Sequence, residues 1–170
     1  VNFSRLMRLI LENSPKKYIP IETEIEIIEK YLGMQKLRFQ DRFNFDILIE
    51  DILIEEQAYI PPMITQPFIE NAIEHGQLHT IKDGFIHVSF KKVNNMLVIS
   101  IVDNGVGRKG SKTNKKSVEH KSMAIDITSQ RIEHLNKKHN TDGSLVVGDF
   151  NKKLQSGTTV LISLPYTINK

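Results

Sequence analysis

The sequence contains no cysteine among its 170 residues. This absence excludes a disulfide framework, thiolate metal ligands and a cysteine nucleophile, and it fits a reducing compartment. Long apolar runs are missing as well, since no stretch approaches the roughly 20 residues of a membrane-spanning helix. The N-terminus also lacks the basic, apolar and small-residue order of a signal peptide. The sequence therefore predicts a globular domain without disulfides.

A strong charge of either sign is lacking too. The 23 basic and 20 acidic residues leave a formal charge of +3, and much of it comes from 108–121. This balance gives no reason to expect binding to nucleic acid or to a membrane surface. A hydrophobic content of 39% is enough for one good core, so we expect one compact domain plus a helical piece. Val1 stands in the middle of a helix-like pattern, which predicts that the sequence is part of something longer.

Apolar residues at helical spacing predict four helices, over 3–12, 21–37, 61–77 and 123–138. Glutamates occupy the early turns of the second helix, where the helix dipole favours acids. Pro61 and Pro62 suit the first turn of the third, and Gly76 lies where that helix should end.

Alternating apolar residues predict five strands, over 43–49, 85–90, 96–102, 144–150 and 158–165. The second and third should form a hairpin, because Asn94 and Asn95 tolerate the left-handed geometry of a tight turn. The segment 104–122 is rich in Gly, Lys, Ser and Asn, which predicts a mobile lid. The order of elements indicates an α+β fold with helices on one face of a mixed sheet.

The segment 67–76 has the sequence PFIENAIEHG and carries three groups suited to a nucleotide site. Asn71 and His75 are four residues apart and share a helix face, while Glu70 lies on the adjoining face. An Asn carbonyl is a hard oxygen ligand, appropriate to Mg²⁺ that keeps several waters. The alternative is an ordinary solvated Glu-Asn pair on an amphipathic helix.

The segment 102–107, VDNGVG, places an acid and two glycines directly after a predicted strand. The Asp103 carboxylate can accept a hydrogen bond from the amino group of adenine, whereas the carbonyl of guanine would leave it unpaired. Gly105 and Gly107 would let the backbone pass close to a base and sugar. The alternative is a simple Asp-Asn-Gly turn.

In this order, the motifs resemble those of the ATP-binding catalytic domain of LytS-type sensor histidine kinases, a branch of the GHKL ATPase superfamily with the Bergerat fold. The resemblance covers nearly the whole chain and rests on 21–39, 60–76, 103–107 and 157–160. It implies a Bergerat-type α/β sandwich, with a mixed sheet, helices on one face and an ATP lid, preceded by a helical segment. Residues 1–20 would end a dimerisation and phosphoacceptor region, and 21–170 would be the catalytic domain.

The resemblance also implies roles for individual residues. Asn71 would be the Mg²⁺ ligand, and Glu70 would be the catalytic acid that polarises the attacking group or orders a metal-bound water. Thr158, which follows Gly157, would join the network of Asp103 and adenine through water. The alternative interpretation is that Thr158 is an ordinary β-branched strand residue without a further role.

His75 has two readings, a phosphate contact or a helix-terminal histidine that favours the negative end of the dipole. We favour the second, because many family members carry Lys before this histidine and this sequence carries Glu74.

The second glycine box of the family, Gly-X-Gly-Leu after the lid, is altered here. Ser122 and Ala124 stand in place of its glycines, so we expect ATP binding that is retained but weak. Ser122 can still cap the following helix, and Lys121 and Arg131 could supply positive charge to the phosphates. Most other lysines of the lid are predicted to be solvated.

The implied activity is that of a protein-histidine kinase with ATP and Mg²⁺, which passes the γ-phosphoryl group to a histidine and then to a response-regulator receiver domain. In LytS-type kinases that histidine lies in a His-Phe motif, and none of the six histidines here stands in one. We therefore expect it upstream of Val1, in a homodimeric protein whose catalytic domain is cytoplasmic and whose absent N-terminal sensor region is membrane-anchored. A degenerate nucleotide-binding interaction module and an anti-sigma-factor-type serine kinase are the alternatives.

Overall fold

A computed structural model of the chain describes residues 2–107, 115–151 and 156–168, with side chains given throughout except at 2 and 115–122. The α-helices are α1 (Asn2–Asn13), α2 (Ile21–Arg38), α3 (Asp51–Glu55), α4 (Gln66–Glu70) and α5 (Lys115–His139). A π-helical turn (Asn71–His75) continues α4, and a 3-10 turn (Leu78–Thr80) follows. The strands are β1 (Ile19–Pro20), β2 (Phe43–Ile49), β3 (Ala58–Ile60), β4 (Gly84–Val93), β5 (Met96–Asp103), β6 (Ser144–Asn151), β7 (Ser156–Pro165) and β8 (Thr167–Ile168).

The main sheet has five strands in the order β2-β4-β5-β7-β6. The pair β2 and β4 is parallel and the other neighbours are antiparallel, so the sheet is mixed, as the sequence predicts. Asn94, with φ of 55°, makes the predicted turn between β4 and β5. The predicted α+β class is confirmed.

One face of this sheet carries the core. The burial of side chains alternates along β5, and its buried positions include Ile99. From the helices, Leu32 of α2, Ile73 of the π turn and Ile132 of α5 belong to the same buried cluster. Full burial of such a side chain stabilises the fold by about 1.5–3 kcal/mol. The helices are therefore held on the sheet by their apolar faces, as the amphipathic patterns predict.

A second, small sheet has the order β1-β3-β8, which the sequence pattern does not predict. Ile19 lies opposite Ile60, and Tyr59 lies opposite Thr167. Strands of two or three residues are too short to display an alternating pattern. This sheet joins the segment after α1 to the end of the chain.

Helix α1 packs against α2, with Leu6 buried and Arg5 within 3.3 Å of the Glu26 carboxylate. None of the helices in the described ranges is long and apolar enough to cross a membrane.

Two predicted helix boundaries differ from the structure. The third predicted helix begins at Gln66 rather than Pro61, because Met63 has a left-handed φ of 55° that no right-handed helix accepts. The last helix begins at Lys115, eight residues before the predicted start at Met123. No Gly or Pro interrupts the chain between 115 and 139, so the polar part of the predicted lid from 115 onward can continue the helix.

The loop before α4, residues 61–65, is held by the buried side chain of Glu24. The carboxylate accepts hydrogen bonds from the Met63 N–H at 2.8 Å, the Thr65 hydroxyl at 2.7 Å and the Thr65 N–H at 3.4 Å. From α5, Arg131 donates to the Pro62 carbonyl at 2.7 Å. Helices α2 and α5 thus fix the loop from two sides. From the sequence, Glu24 is predicted only as one of the acids in the first turns of α2.

Burial raises the pKa of Glu24 above its ordinary value of 4.5, while the hydrogen bonds from Thr65 and Met63 and the charge of Arg131 act in the opposite direction. A raised pKa means that the folded state favours the protonated acid. The contribution of Glu24 to the unfolding free energy is then complete below pH 4.5 and is lost as the pH rises through the higher pKa of the folded state.

We predict that Glu24→Gln lowers the unfolding free energy by about 1–3 kcal/mol at pH about 5, because the amide nitrogen cannot accept a hydrogen bond from the buried loop. Urea unfolding measures the loss, and the gap between the two proteins should narrow as the pH rises to about 8. Glu22→Gln, on the exposed side of the same turn, is the control and should change stability little. A gap that widens with pH would contradict the assigned pKa shift.

Gly157 lies where β7 approaches the end of β5 and has a positive φ of 66°. A Cβ at this position would lie 2.3 Å from the Asp103 carbonyl oxygen. Gly148, in the neighbouring strand β6, has nothing within 4 Å of its would-be Cβ.

We therefore predict that Gly157→Ala lowers the unfolding free energy by about 1–3 kcal/mol through backbone strain, whereas Gly148→Ala leaves it within about 0.5 kcal/mol or raises it slightly. Thermal and urea unfolding of both variants test the difference. Equal effects at the two positions would count against the close approach of β7 to β5.

Candidate functional site

Asp103 ends the central strand β5 and is only 3% exposed. One carboxylate oxygen, Oδ1, accepts a hydrogen bond from the Gly105 N–H at 2.9 Å, so the side chain turns back toward its own loop. In the antiparallel ladder, Asp103 lies opposite Ile86 on one side and Thr158 on the other. The structure therefore places Thr158 beside Asp103, as the proposed network of the two residues needs.

Three glycines meet next to this carboxylate. The Val106 N–H donates to the Gly76 carbonyl at 2.9 Å, and the Gly157 N–H donates to the Gly105 carbonyl at 2.7 Å. A Cβ on Gly105 would lie 2.4 Å from the Gly76 carbonyl oxygen. The two motifs, more than 25 residues apart in the chain, are thus joined by direct backbone contact. Gly107, also buried, has a φ of 75°.

The helix that carries Glu70 and Asn71 changes form in its middle. After α4, the segment Asn71–His75 is a π turn, and the Gly76 N–H donates to the Asn71 carbonyl at 2.9 Å. The sequence predicts a regular helix here and contains no signal for the change. Single π turns within helices occur frequently at functional sites. Asn71 and His75 are half-buried and Glu70 is exposed.

Glu70 has two neighbours that sequence reasoning missed. Gln66 donates from Nε2 to the Glu70 carboxylate at 2.9 Å, a contact that its spacing of four residues could have revealed. Burial, followed by the negative charges of Glu70 and Glu74, raises the pKa of Tyr31 to about 12. Tyr31 could not be found from the sequence, since it reaches this place through the packing of α2. The carboxylate of Glu70 is therefore oriented by Gln66, and its charge helps to keep the Tyr31 phenol un-ionised.

Glu74, which stands where many family members carry Lys, has an ion-pair partner on α2. Arg38 approaches its carboxylate at 2.9 Å and also lies over the Phe39 ring, 4.9 Å from the ring centroid. Phe39 in turn stacks on His79 with centroids 4.2 Å apart. The acid at this position thus has a structural partner.

The remaining predicted residues lie on α5. Arg131 is held against the Pro62 carbonyl and the buried Glu24, at the loop before α4. Burial lowers the pKa of its guanidinium, and the charge of Glu24 acts in the opposite direction. Lys121 and Ser122 belong to the part of α5, residues 115–122, whose side chains lie outside the described set. Residues 108–114 of the predicted lid also lie outside the described residues.

A family model described as "Histidine kinase" matches residues 1–43. Among curated proteins, the sensor protein LytS of Staphylococcus saprophyticus is 31% identical over 174 residues, which cover 98% of this chain. LytS of Oceanobacillus iheyensis is 32% identical over 107 residues, or 63% of this chain. The chain spans 28% of the length of the first relative and 18% of the second.

Two solved structures are similar in fold. A mycobacterial sensor histidine kinase, MprB, gives a TM-score of 0.56 at 14% identity, covering 89% of this chain and 98% of that one. The catalytic domain of the histidine kinase ThkA gives 0.56 at 12% identity, covering 89% and 97%. These comparisons support neither the serine kinase nor the pure interaction module. The chain is thus similar over nearly its whole length to LytS sensor proteins and has the fold of a histidine kinase catalytic domain.

Proposed function

We propose that this chain is the ATP-binding catalytic part of a sensor histidine kinase, with residues 21–170 forming the nucleotide-binding domain and 1–20 the end of the preceding helical region. The observation that carries the proposal is the buried carboxylate of Asp103 beside the junction of Gly76, Gly105 and Gly157. A buried acid next to backbone without side chains suits recognition of a flat base.

Asp103 would accept a hydrogen bond from the adenine amino group. Guanine presents a carbonyl oxygen at that place, which cannot donate to the buried acid, so the site should discriminate strongly against it. The ladder pairing of Thr158 with Asp103 supports a shared role, in which a water links the Thr158 hydroxyl to the base. Gly105 and Gly107 would border the base and sugar.

Asn71 would hold Mg²⁺ through its side-chain carbonyl. The buried Oε1 of Gln66 has no hydrogen-bond partner among the described residues, and a metal-bound water would supply the missing donor. No group of three His, Asp or Glu in the described ranges could hold a metal alone. Mg²⁺ here would therefore depend on Asn71 and on the phosphates of ATP, and when bound it would neutralise charge on the transferring group.

Glu70 would accept the proton of the attacking imidazole or order the group that does. The contact with Gln66 fixes the direction of its carboxylate. In the transfer, a bond forms between the imidazole nitrogen and the γ-phosphorus, the bond from that phosphorus to the bridging oxygen breaks, and ADP leaves with the electron pair. His75 fits the helix-terminal role, while Lys121, Ser122 and Arg131 remain candidates for the phosphates.

The partners follow from this reaction. The phosphoacceptor would be a histidine of the dimerisation region in a homodimeric sensor, and the phosphoryl group would pass from it to the aspartate of a response-regulator receiver domain. We place the domain on the cytoplasmic side of a membrane-anchored bacterial protein, because ATP and receiver domains are found there.

Calorimetric titration with ATP tests the site. The chain should bind Mg-ATP, and Asp103→Asn should weaken binding by about 10- to 100-fold, because an amide cannot replace the charged acceptor in a buried position. Asn71→Ala should leave binding of ATP alone nearly unchanged and remove the gain that Mg²⁺ provides. Asp142→Asn and Asn95→Ala, both in exposed turns, are the controls. Absence of binding in the parent chain, or loss of binding in the controls, would contradict the proposal.

Phosphotransfer tests the reaction class. Supplied with ATP and a histidine-containing dimerisation domain from a LytS-type relative, the chain should label that domain, and the label should be lost in acid, as for phosphohistidine. Glu70→Gln should slow labelling by about 10²- to 10⁴-fold while ATP affinity changes little, as expected of a proton acceptor. Acid-stable label would indicate serine as the acceptor and would overturn the histidine kinase assignment.

A further inference from the structure

A groove of about 640 Å³ lies outside the nucleotide site. Its walls are the segment 14–18 between α1 and β1, the loop 61–63 before α4, and one face of α5 between 127 and 138. This volume falls within the range of about 300–1,000 Å³ that is typical of small-molecule pockets. The groove is therefore large enough to enclose most of an organic molecule of moderate size.

The lining of the groove has an apolar part. Pro61, Pro62 and Leu135 are buried, and Met63 and Ile127 extend this surface toward solvent. Tyr18 adds an aromatic ring. Rings and short alkyl chains of a ligand would displace water from this surface, at about 25 cal/mol per Å² of apolar area.

The rest of the lining is basic. Lys16, Lys17, Arg131 and Lys138 contribute cations, His134 lies between them, and no carboxylate is among the described lining residues. Lys16 donates to the Asn13 side-chain carbonyl and Lys138 donates to the Tyr18 hydroxyl, so both lysines contact neutral acceptors. The excess of positive charge therefore remains available to an anion, apart from that of Arg131, which Glu24 partly balances.

Among the residues whose side chains the structure describes, Arg131 alone is shared between this groove and the predicted nucleotide contacts, and its guanidinium is bound to the Pro62 carbonyl at the groove wall. The residues around Asp103 and Asn71 do not line it. A ligand in the groove would thus contact the chain after α1 and the helix α5 without touching the adenine pocket.

We propose that this groove is a second binding site, which takes an amphipathic organic anion: a carboxylate, sulfonate or phosphate ester attached to an aromatic or alkyl body. A small inorganic anion would leave the apolar surface in contact with water, and a neutral hydrocarbon would make no use of the cations. Only a ligand with both parts uses the whole lining.

Naphthalene-2-carboxylate is a suitable probe, and naphthalene-2-carboxamide is its neutral counterpart of the same shape. Titration of the ¹⁵N-labelled chain should shift the amide signals of 16–18 and 127–138 in a saturable manner with the carboxylate. The carboxamide should bind at least about tenfold weaker, and sodium sulfate at the same concentration should give no saturable shifts. Equal binding of acid and amide, or shifts confined to other regions, would overturn the proposal.

Variants locate the site and separate it from ATP. Lys17→Gln and Lys138→Gln should each weaken naphthoate binding by about 3- to 10-fold, a loss typical of a partly exposed ion pair. Lys137→Gln, the exposed neighbour that does not line the groove, is the matched control and should bind as the parent does. Saturating Mg-ATP should leave the naphthoate affinity within about twofold. Displacement of naphthoate by ATP would mean that the groove belongs to the nucleotide site. An equal loss of naphthoate affinity in Lys137→Gln would mean that the variants act only through the net charge of the protein. Either result would overturn the proposal.

Discussion

The buried carboxylate of Glu24 is the interaction on which the arrangement of the site depends. It accepts hydrogen bonds from Met63 and Thr65 and so fixes the loop that precedes α4. Because Met63 has a left-handed backbone, this loop cannot continue the helix backward, and α4 must begin at Gln66. The position of Asn71, five residues later, follows from that start. A single ionisable group in α2 thus determines where the proposed metal ligand stands.

The nucleotide side is built by a different means, the close approach of backbone to backbone. Hydrogen bonds join Gly76 to the loop after β5 and join Gly157 to Gly105, and side chains at these positions would collide with carbonyl oxygens. Asp103 is buried beside this junction, and the Gly105 N–H donates to its carboxylate. Specificity for adenine would thus come from a rigid acceptor whose surroundings cannot rearrange to suit another base.

The sequence predicts the long elements well and the short ones poorly. Alternation identified β2 at 43–49 and the hairpin of β4 and β5, because one face of each strand is buried. The strands β1, β3 and β8 carry too few residues for any pattern, and the start of α4 depends on a tertiary contact of Glu24. For the site, the family resemblance implied that Asp103 and Thr158 act together, and the two residues lie opposite each other in the ladder of β5 and β7. The proximity of Tyr31 on α2 to the charge of Glu70 depends on helix packing, which no local spacing encodes.

The π turn at Asn71–His75 also sets a length. An α-helix rises about 1.5 Å and turns about 100° for each residue, so one residue fewer between Glu70 and Gly76 would turn and retract the end of the helix together. The Gly76 carbonyl would then no longer reach the Val106 N–H, from which it now accepts a hydrogen bond. Insertions and deletions are usually tolerated at loops. In this helix, however, a change of one residue would break the hydrogen bond between Gly76 and Val106 that connects the two motifs. The number of residues between Glu70 and Gly76 is therefore fixed by the contact that the end of the helix makes with the loop after β5.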